Sequence, residues 1–414
     1  MTDEPTTSLR PNIVLIFMDD MGYGDLGCTG NQLIKTPRMD QLAADGMMFD
    51  HMYSAAPTCT PSRAALMSGR YAQRVGLPRV IFPQEPQGLS SWEVTVADIL
   101  SETGYACGIY GKWHLGAQEQ HHPLRHGFKE FVGLPYSNDM DPLSLYVNDQ
   151  PEDGPVDQTS LTRRYTDSAM DFIERHRDEP FFVYLPHTMP HIPLHVEEDF
   201  RGTSAAGTYG DVIECLDHHV GRLIDHLDQL GLAENTLVMV TSDNGPWYEG
   251  STGGFRGRKI DTYEGGIRMP FIARWPQTIH PGSRSQEPAC FIDMLPTLAG
   301  LTGAQVPQDR PIDGIDISGL FSGDAGLERE ALYFYAGWHL NAIRQGRWKL
   351  HVDRFPNTDL SELPQLFDVV ADPQESYNLA DLHPGVLEQL NTLLTDFGDH
   401  IDSTRQQAEE RAHS

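Results

Sequence analysis

The chain has 414 residues, enough for one large domain and a smaller one, and 39% of them are hydrophobic, as in a globular protein with a full core. A formal net charge of −29 with no basic stretch excludes nucleic acid as a partner, because phosphate binding needs clustered Lys and Arg. The acidity is in itself a solvated surface, but any bound anion must be held by local cations or a metal against that field.

The first apolar run, Ile13–Met18, is too short for a transmembrane helix, and no basic segment or small-residue cleavage site precedes it. A cytoplasmic protein, not inserted in a membrane, or one whose leader has been removed, is expected. Five cysteines at 28, 59, 107, 215 and 290 are odd in number and lack a CxxC pair. Reduced thiols are therefore expected rather than disulfides.

In chain order, NIVLIFM (12–18), YACGIY (105–110), PFFVYLP (180–186), TLVMVTSD (236–243) and PFIARWP (270–276) read as buried strands. VTVADILSETG (94–104) reads as a helix, as does 209–230. There Tyr209, Val212, Ile213, Leu216, Val220, Leu223, Ile224, Leu227 and Leu230 keep the 3.6-residue spacing, with Gly231 as the stop. The stretch 117–160, rich in Pro, Gly, Asp, Asn and Gln, reads as long loops. After about residue 325, ALYFYAG, NAIRQGRWKLHV and QLFDVV read as successive antiparallel strands. A helix over about 384–400 follows, packed through Val386, Leu390, Leu393, Leu394 and Phe397, with a frayed tail. The expected fold is α/β: a large, mostly parallel sheet sandwiched by helices over 1–325, and a smaller C-terminal antiparallel sheet plus helix over 326–414.

In such sheets ligands collect at the carboxyl ends of the strands. The first strand runs into Asp19-Asp20, and the strand after residue 236 runs into Asp243-Asn244-Gly245. Singly, each pair is most often a turn or a cap. On adjacent strands they would gather three carboxylates and one amide oxygen, a set suited to calcium or magnesium rather than zinc. GKWHLG supplies Lys112 and His114, PHTMPHIP supplies His187 and His191, and GRKIDTYEGGIR supplies Lys259. A lone His or Lys is usually structural. Converging on a metal-bound anion, however, these would stabilise charge on a transferring group.

CTPSRAALMSGR (59–70) resembles the sulfatase signature Cys-X-Pro-Ser-Arg followed by an apolar stretch and Ser-Gly-Arg. The likeness extends through MDDMGYGDLGCTG, GKWHLG, DNG, TYEGGIRMPFIARWP, FIDMLPTLAGLTG and QLFDVVADPQESYNLA. The chain thus resembles, nearly end to end, a type I sulfatase of the alkaline-phosphatase-like superfamily. YGKWHLG, GLPYSND and GLSSWEVTVADIL are most similar to the arylsulfatase A and N-acetylgalactosamine-6-sulfatase branch.

The resemblance implies hydrolysis of a small-molecule or saccharide sulfate ester to inorganic sulfate and an alcohol. Cys59 would be oxidised to formylglycine by a formylglycine-generating enzyme, and the hydrated aldehyde would attack sulfur. Its second hydroxyl would then expel sulfate, a route a serine ester lacks. Asp19, Asp20, Asp243 and Asn244 would hold the metal, calcium with magnesium as the other candidate, and residue 59 would be an additional ligand. Arg63 would hold the diol and offset charge, while Asp243 could take the proton of the attacking hydroxyl. Lys112, His191, Lys259 and Ser137 would bind sulfate, with Lys259 or His191 protonating the leaving oxygen and His114 deprotonating the second hydroxyl. His191 fits the family position better than His187.

His218, His219 and His226 are expected to face solvent, and His121 and His122 to lie in a loop. Gly265-Gly266 are expected to allow a tight turn beside Lys259, and Cys28, Cys107, Cys215 and Cys290 to be buried small hydrophobes. Two other readings compete: a phosphonate or phosphate monoester hydrolase of the same superfamily, and a binding protein on a decayed scaffold. Segments 75–92, 117–160 and 335–360 would shape the substrate pocket, and the negative charge favours small or singly sulfated molecules. Oligomeric state stays open.

Overall fold

The computed structural model describes residues 10–324, 326–357 and 361–413. Its large sheet contains β1 (Asn12–Met18), β2 (Met47–Tyr53), β3 (Ala106–Lys112), β4 (Glu130–Leu134), β5 (Tyr146–Val147) and β6 (Gln150–Pro151). It continues with β7 (Phe181–Pro186), β8 (Thr236–Ser242), β9 (Arg268–Arg274), β10 (Ser283–Ser285) and β11 (Ala289–Cys290). The order is β10-β2-β9-β8-β1-β7-β3-β4-β5-β6, with β11 pairing with β2. Strands β8, β1, β7, β3 and β4 run parallel, whereas β9 is antiparallel to both β8 and β2.

Strand β1 sits at the centre, and its alternation sorts the core. Ile13, Leu15 and Phe17 join one apolar layer with Leu66, Leu100 and Leu298, while Val14, Ile16 and Met18 join the other with Leu42, Phe172 and Leu216. Helices on both faces cover a sheet whose central strands show no water-facing side, which is why their sequences read as unbroken apolar runs.

A second sheet, β12 (Leu332–Ala336), β13 (His339–Gln345), β14 (Trp348–His351) and β15 (Gln365–Asp368), is an antiparallel meander in that order. It is joined to the first by a shared core, in which Tyr53, Ala65 and Tyr71 pack with Phe334, Ile343 and Leu350. A buried polar network crosses the same junction. Lys349 Nζ lies 2.9 Å from Glu264 and 3.0 Å from Glu375, and Glu375 also accepts from the Glu264 backbone N–H and meets His351. None of the helices among the described residues is long and apolar enough to cross a membrane.

Four expectations need correction. The tail is not frayed: the last helix runs Pro384–Ala412, with Ile401, Ala408 and Ala412 buried. Its small residues let it lie close on the catalytic part, where Gly88 N–H donates to the Ala412 carbonyl and a Cβ on Gly76 would meet Ala408 O at 2.2 Å. Within 117–160, β4 and the β5–β6 hairpin are regular structure, laid on the edge of β3. His219 is buried against Glu197 (2.6 Å), and His226 is half-buried, leaving His218 as the exposed one of the three. Cys28 is half-buried rather than buried; all five cysteines are free thiols.

Burial raises the Glu264 carboxyl, but Lys349, Arg268 and Arg344 outweigh it and hold Glu264 at about 2 instead of 4.5. The network therefore stabilises the fold above about pH 4.5 and loses that contribution as the pH falls toward 2. Lys349→Met should leave two facing buried carboxylates, lose roughly 3–5 kcal/mol at neutral pH, and flatten the acid limb of stability. Urea unfolding at several pH values checks this; an unchanged midpoint at pH 7 contradicts it.

Candidate active site

Neighbouring strand ends deliver the acidic residues. Met18 is in register with Ser242, and Asp243 N–H donates to the Met18 carbonyl at 3.1 Å, so Asp19-Asp20 and Asp243-Asn244 emerge side by side. Asp20 adopts the left-handed region (φ 68°), its N–H donating to Asp243 Oδ1 at 3.1 Å. On the other side of β1, strand β7 leads into His187 and β3 ends in Lys112. Gly111, at φ 136°, lies so close to β7 that a Cβ there would meet Pro186 O at 1.8 Å.

The helix Cys59–Ser68 opens against these ends, and every residue in it is buried. Pro61 lies in its first turn, where a missing N–H loses no intrahelical bond. The polar members of the motif tie the helix to separate parts of the site. Thr60 donates to the His114 carbonyl (3.0 Å), Ser62 donates to the Asp243 carbonyl (2.5 Å), and Arg63 donates to Asp243 Oδ2 (2.8 and 3.1 Å) and the Lys112 carbonyl (2.8 Å). These bonds set Cys59 Sγ 3.5 Å from Asp19 Oδ1.

The three carboxylates are matched by cations. Lys112 Nζ lies 2.6 Å from Asp19 Oδ2 and 3.1 Å from Ser137 Oγ, and Lys259 Nζ lies 2.7 Å from Asp20 Oδ2. His191 Nε2 lies 3.7 Å from the same Asp20 oxygen, with its Nδ1 held by the Ile192 carbonyl. Burial alone would raise the Asp19 carboxyl, but Lys112, His191 and Arg63 outweigh it and hold it at about 2. Burial and Asp19 push the Asp243 carboxyl up, against the pull of Arg63. Burial lowers the Lys259 ammonium, yet Asp20 prevails and keeps it charged. Burial, then Lys112 and Arg63, pushes His114 well below its ordinary value, so its ring is neutral. His114 Nε2 lies 3.1 Å from the Ile81 carbonyl, and Nδ1 has no partner among the described residues.

The donor set fits a hard divalent cation. Ligand atoms from Asp19, Asp20, Cys59 and His191 lie within 4.8 Å of one another. Asn244 Nδ2 donates to Asp20 Oδ1 and the Gly245 carbonyl, while its buried Oδ1 has no donor among the described residues. A buried acceptor without a donor is costly, and an oxygen-rich set beside it suits calcium or magnesium.

The structure brings together Asp19, Asp20, Cys59, Arg63, Lys112, His114, Ser137, His191, Asp243, Asn244 and Lys259. His187 is apart: its ring sits near Tyr165 with both nitrogens unpartnered among the described residues, and burial pushes it to about 3. Gly265 and Gly266 do not form the expected tight turn but lie in the short helix Glu264–Ile267; they are needed for close approach, since a Cβ on either would meet a backbone oxygen of the Lys259 loop at 2.3 or 2.0 Å. Sequence reasoning missed the Ile81 carbonyl, which carries no side-chain signal. It also missed the anchoring by Thr60 and Ser62, for which their place inside the motif was a usable hint.

A phosphonate monoester hydrolase from Silicibacter pomeroyi has the same fold, superposing with a TM-score of 0.71 at 19% identity and covering 94% of this chain and 95% of that one. Residues 11–304 match the Sulfatase family model, and 252–399 match that of N-sulphoglucosamine sulphohydrolase, C-terminal. Arylsulfatase A of Homo sapiens is 38% identical over 92% of this chain and 87% of that protein. N-acetylgalactosamine-6-sulfatase of Mus musculus is 36% identical over 89% and 82%. The PsFucS1 sulfatase of Pseudoalteromonas sp. superposes with a TM-score of 0.87 at 28% identity, covering 96% of this chain and 91% of that one. The chain belongs to the sulfatase family and is a sulfuric ester hydrolase.

Arg63, like Lys112, is a fully buried cation of this site, and Arg63→Met would strand Asp243 and Asp19 with one counter-charge fewer. A loss of roughly 3–5 kcal/mol is expected in chemical unfolding; a variant as stable as the wild type contradicts the charge balance described here.

Proposed function

We propose that the enzyme hydrolyses a sulfate monoester by means of a formylglycine made from Cys59 beside a bound calcium ion. The placement of Cys59 carries this reading. The signature helix sets its Sγ 3.5 Å from Asp19 Oδ1, and ligand atoms of Asp19, Asp20, Cys59 and His191 lie within 4.8 Å of one another. Burial, with Asp243 and Asp19, also pushes the thiol above its ordinary value against the pull of Lys112 and Lys259, which disfavours the thiolate. Formylglycine would supply, when hydrated, one hydroxyl to attack sulfur and a second to release sulfate. Calcium, or magnesium in the same set, would supply positive charge to orient the reacting oxygens.

The remaining roles belong to side chains described above. Asp19, Asp20, Asp243 and Asn244 hold the ion together with residue 59. Lys112, Ser137, His191 and Lys259 bind sulfate oxygens, and the charged Lys259 ammonium, or His191, can protonate the leaving oxygen. His114, neutral and with Nδ1 free of other bonds among the described residues, can accept the proton of the second hydroxyl. Arg63 stays beneath, holding Asp243 in place.

The names of the relatives cover aryl, steroid and amino-sugar sulfates, and one similar solved structure, i-CgsB, is a complex with a neocarrahexaose. These support a small-molecule or saccharide sulfate ester as substrate, with a formylglycine-generating enzyme as maturation partner.

Peptide mass spectrometry across residues 59–63 of protein from its native host should find formylglycine at 59. The same protein should show a far higher kcat/KM on 4-nitrophenyl sulfate than on the matching aryl phosphonate; the opposite preference overturns the sulfate assignment. Cys59→Ala should abolish turnover while the unfolding free energy stays within about 1 kcal/mol of the wild type. Retained turnover in that variant contradicts the role of residue 59.

A further inference from the structure

A cavity of about 490 Å³ lies beside the catalytic cluster, within the range of small-molecule sites. Three of its walls are immediate chain neighbours of site residues. Thr58 precedes Cys59, Ile260 follows Lys259, and Val80 precedes Ile81, whose carbonyl meets His114 Nε2. The far wall comes from the C-terminal unit: Trp338 and Phe355, with Arg405 of the last helix stacked 4.3 Å over the Trp338 ring.

Ile260 shows that this wall is built under constraint. Its φ is 78°, an outlying conformation for a β-branched residue. Its N–H donates to the Pro57 carbonyl at 2.9 Å, tying the Lys259 loop to the segment before Cys59. Lys259 thereby reaches Asp20 while its neighbour lines the cavity. Ile260 and Phe355 remain 36% and 45% exposed there.

The charged groups of the lining are already paired. Arg79 meets Glu85 at 2.7 Å, His339 meets Asp353 at 2.9 Å and stacks on Phe355, and Arg405 meets Glu409 at 3.1 Å. A second sulfate or a carboxylate on the substrate would find its nearest cations committed. A neutral ring would find aromatic faces and apolar walls.

Resting on the sulfatase reading above, we infer that this cavity is the leaving-group subsite and takes a neutral, ring-bearing apolar alcohol, a phenol or fused-ring alcohol, against Trp338 and Phe355. The catalytic and C-terminal parts then set specificity jointly, the former placing the sulfate and the latter grading the alcohol.

The test uses the formylglycine-bearing enzyme with 2-naphthyl sulfate, N-acetylgalactosamine 6-sulfate and its 4,6-disulfate. The wild type should prefer the naphthyl ester. Trp338→Ala should lower the naphthyl-to-monosulfated-sugar ratio of kcat/KM roughly tenfold, mainly through KM, and Trp338→Phe should restore most of it. An unchanged ratio in Trp338→Ala, or a wild-type preference for the disulfated sugar, overturns the inference. Phe355→Ala gives the same comparison if Trp338→Ala does not fold. Calorimetric titration of 2-naphthol into Cys59→Ala protein separates the two proposals. Binding that weakens about tenfold on adding Trp338→Ala supports the subsite even if no sulfate is turned over, which would sink the sulfatase chemistry alone. Absent naphthol binding in a protein that does turn over sulfates sinks the subsite alone.

Discussion

Three carboxylates buried at the ends of two adjacent parallel strands cannot stay ionised unless positive charge is brought to them. Asp19, Asp20 and Asp243 are each 0–2% exposed, and the repulsion among them organises what surrounds them. Lys112, Lys259 and Arg63 arrive from a strand, a loop and a helix; Lys112 pairs with Asp19, Lys259 with Asp20, and Arg63 with Asp243 and, at 3.6 Å, Asp19. Asn244 contributes a buried oxygen that lacks a donor among the described residues. On the function proposed above, the same concentration of charge that makes the cluster expensive in isolation would suit it to a dication and, next to it, an anion. A molecule with net charge −29 can attract sulfate by this means, because the cations are local and the dielectric around them is low.

The signature helix converts that electrostatic demand into geometry. Its Thr, Ser and Arg bind the ends of two strands, Thr60 and Arg63 the segment Lys112–His114 at the end of β3 and Ser62 and Arg63 the Asp243 end of β8, and together they place Cys59. The second sheet extends the same logic outward. Lys349 holds Glu264 and Glu375 at the start of the short helix Glu264–Ile267, which follows the loop carrying Lys259. The C-terminal part thus supports the Lys259 loop from behind and supplies the aromatic side chains Trp338 and Phe355 in front of it. The two family models overlap over residues 252–304, the stretch that carries this loop.

Much of the site was legible because strand ends and motif spacing are local properties. The apolar runs placed β1, β7 and β8, and the acidic pairs follow them directly. Pairing partners are non-local and were harder to read. MMFDHMY carries Asp50 and His51 inside an edge-side strand with a register shift, which masks its period, and EFVGL is short and interrupted by Gly133. The tail after residue 400 looked too polar to pack, yet Ile401, Ala408 and Ala412 fall on one face and small size is what that contact needs. His219 looked solvent-facing on a helical projection, but the segment bearing Glu197 covers that face. The left-handed backbone of Asp20, His114 and Ile260 has no signature in residue type, since none of them is glycine.

The proposed binding of one hard divalent ion by this oxygen cluster is tested most directly by calcium titration of chelator-treated protein in an isothermal calorimeter. One calcium per chain is expected in the wild type, with weaker magnesium binding in the same place, and loss of both in an Asp19→Asn, Asp243→Asn double variant that still unfolds cooperatively. Failure of the wild type to bind calcium, or binding that survives both substitutions, would contradict it.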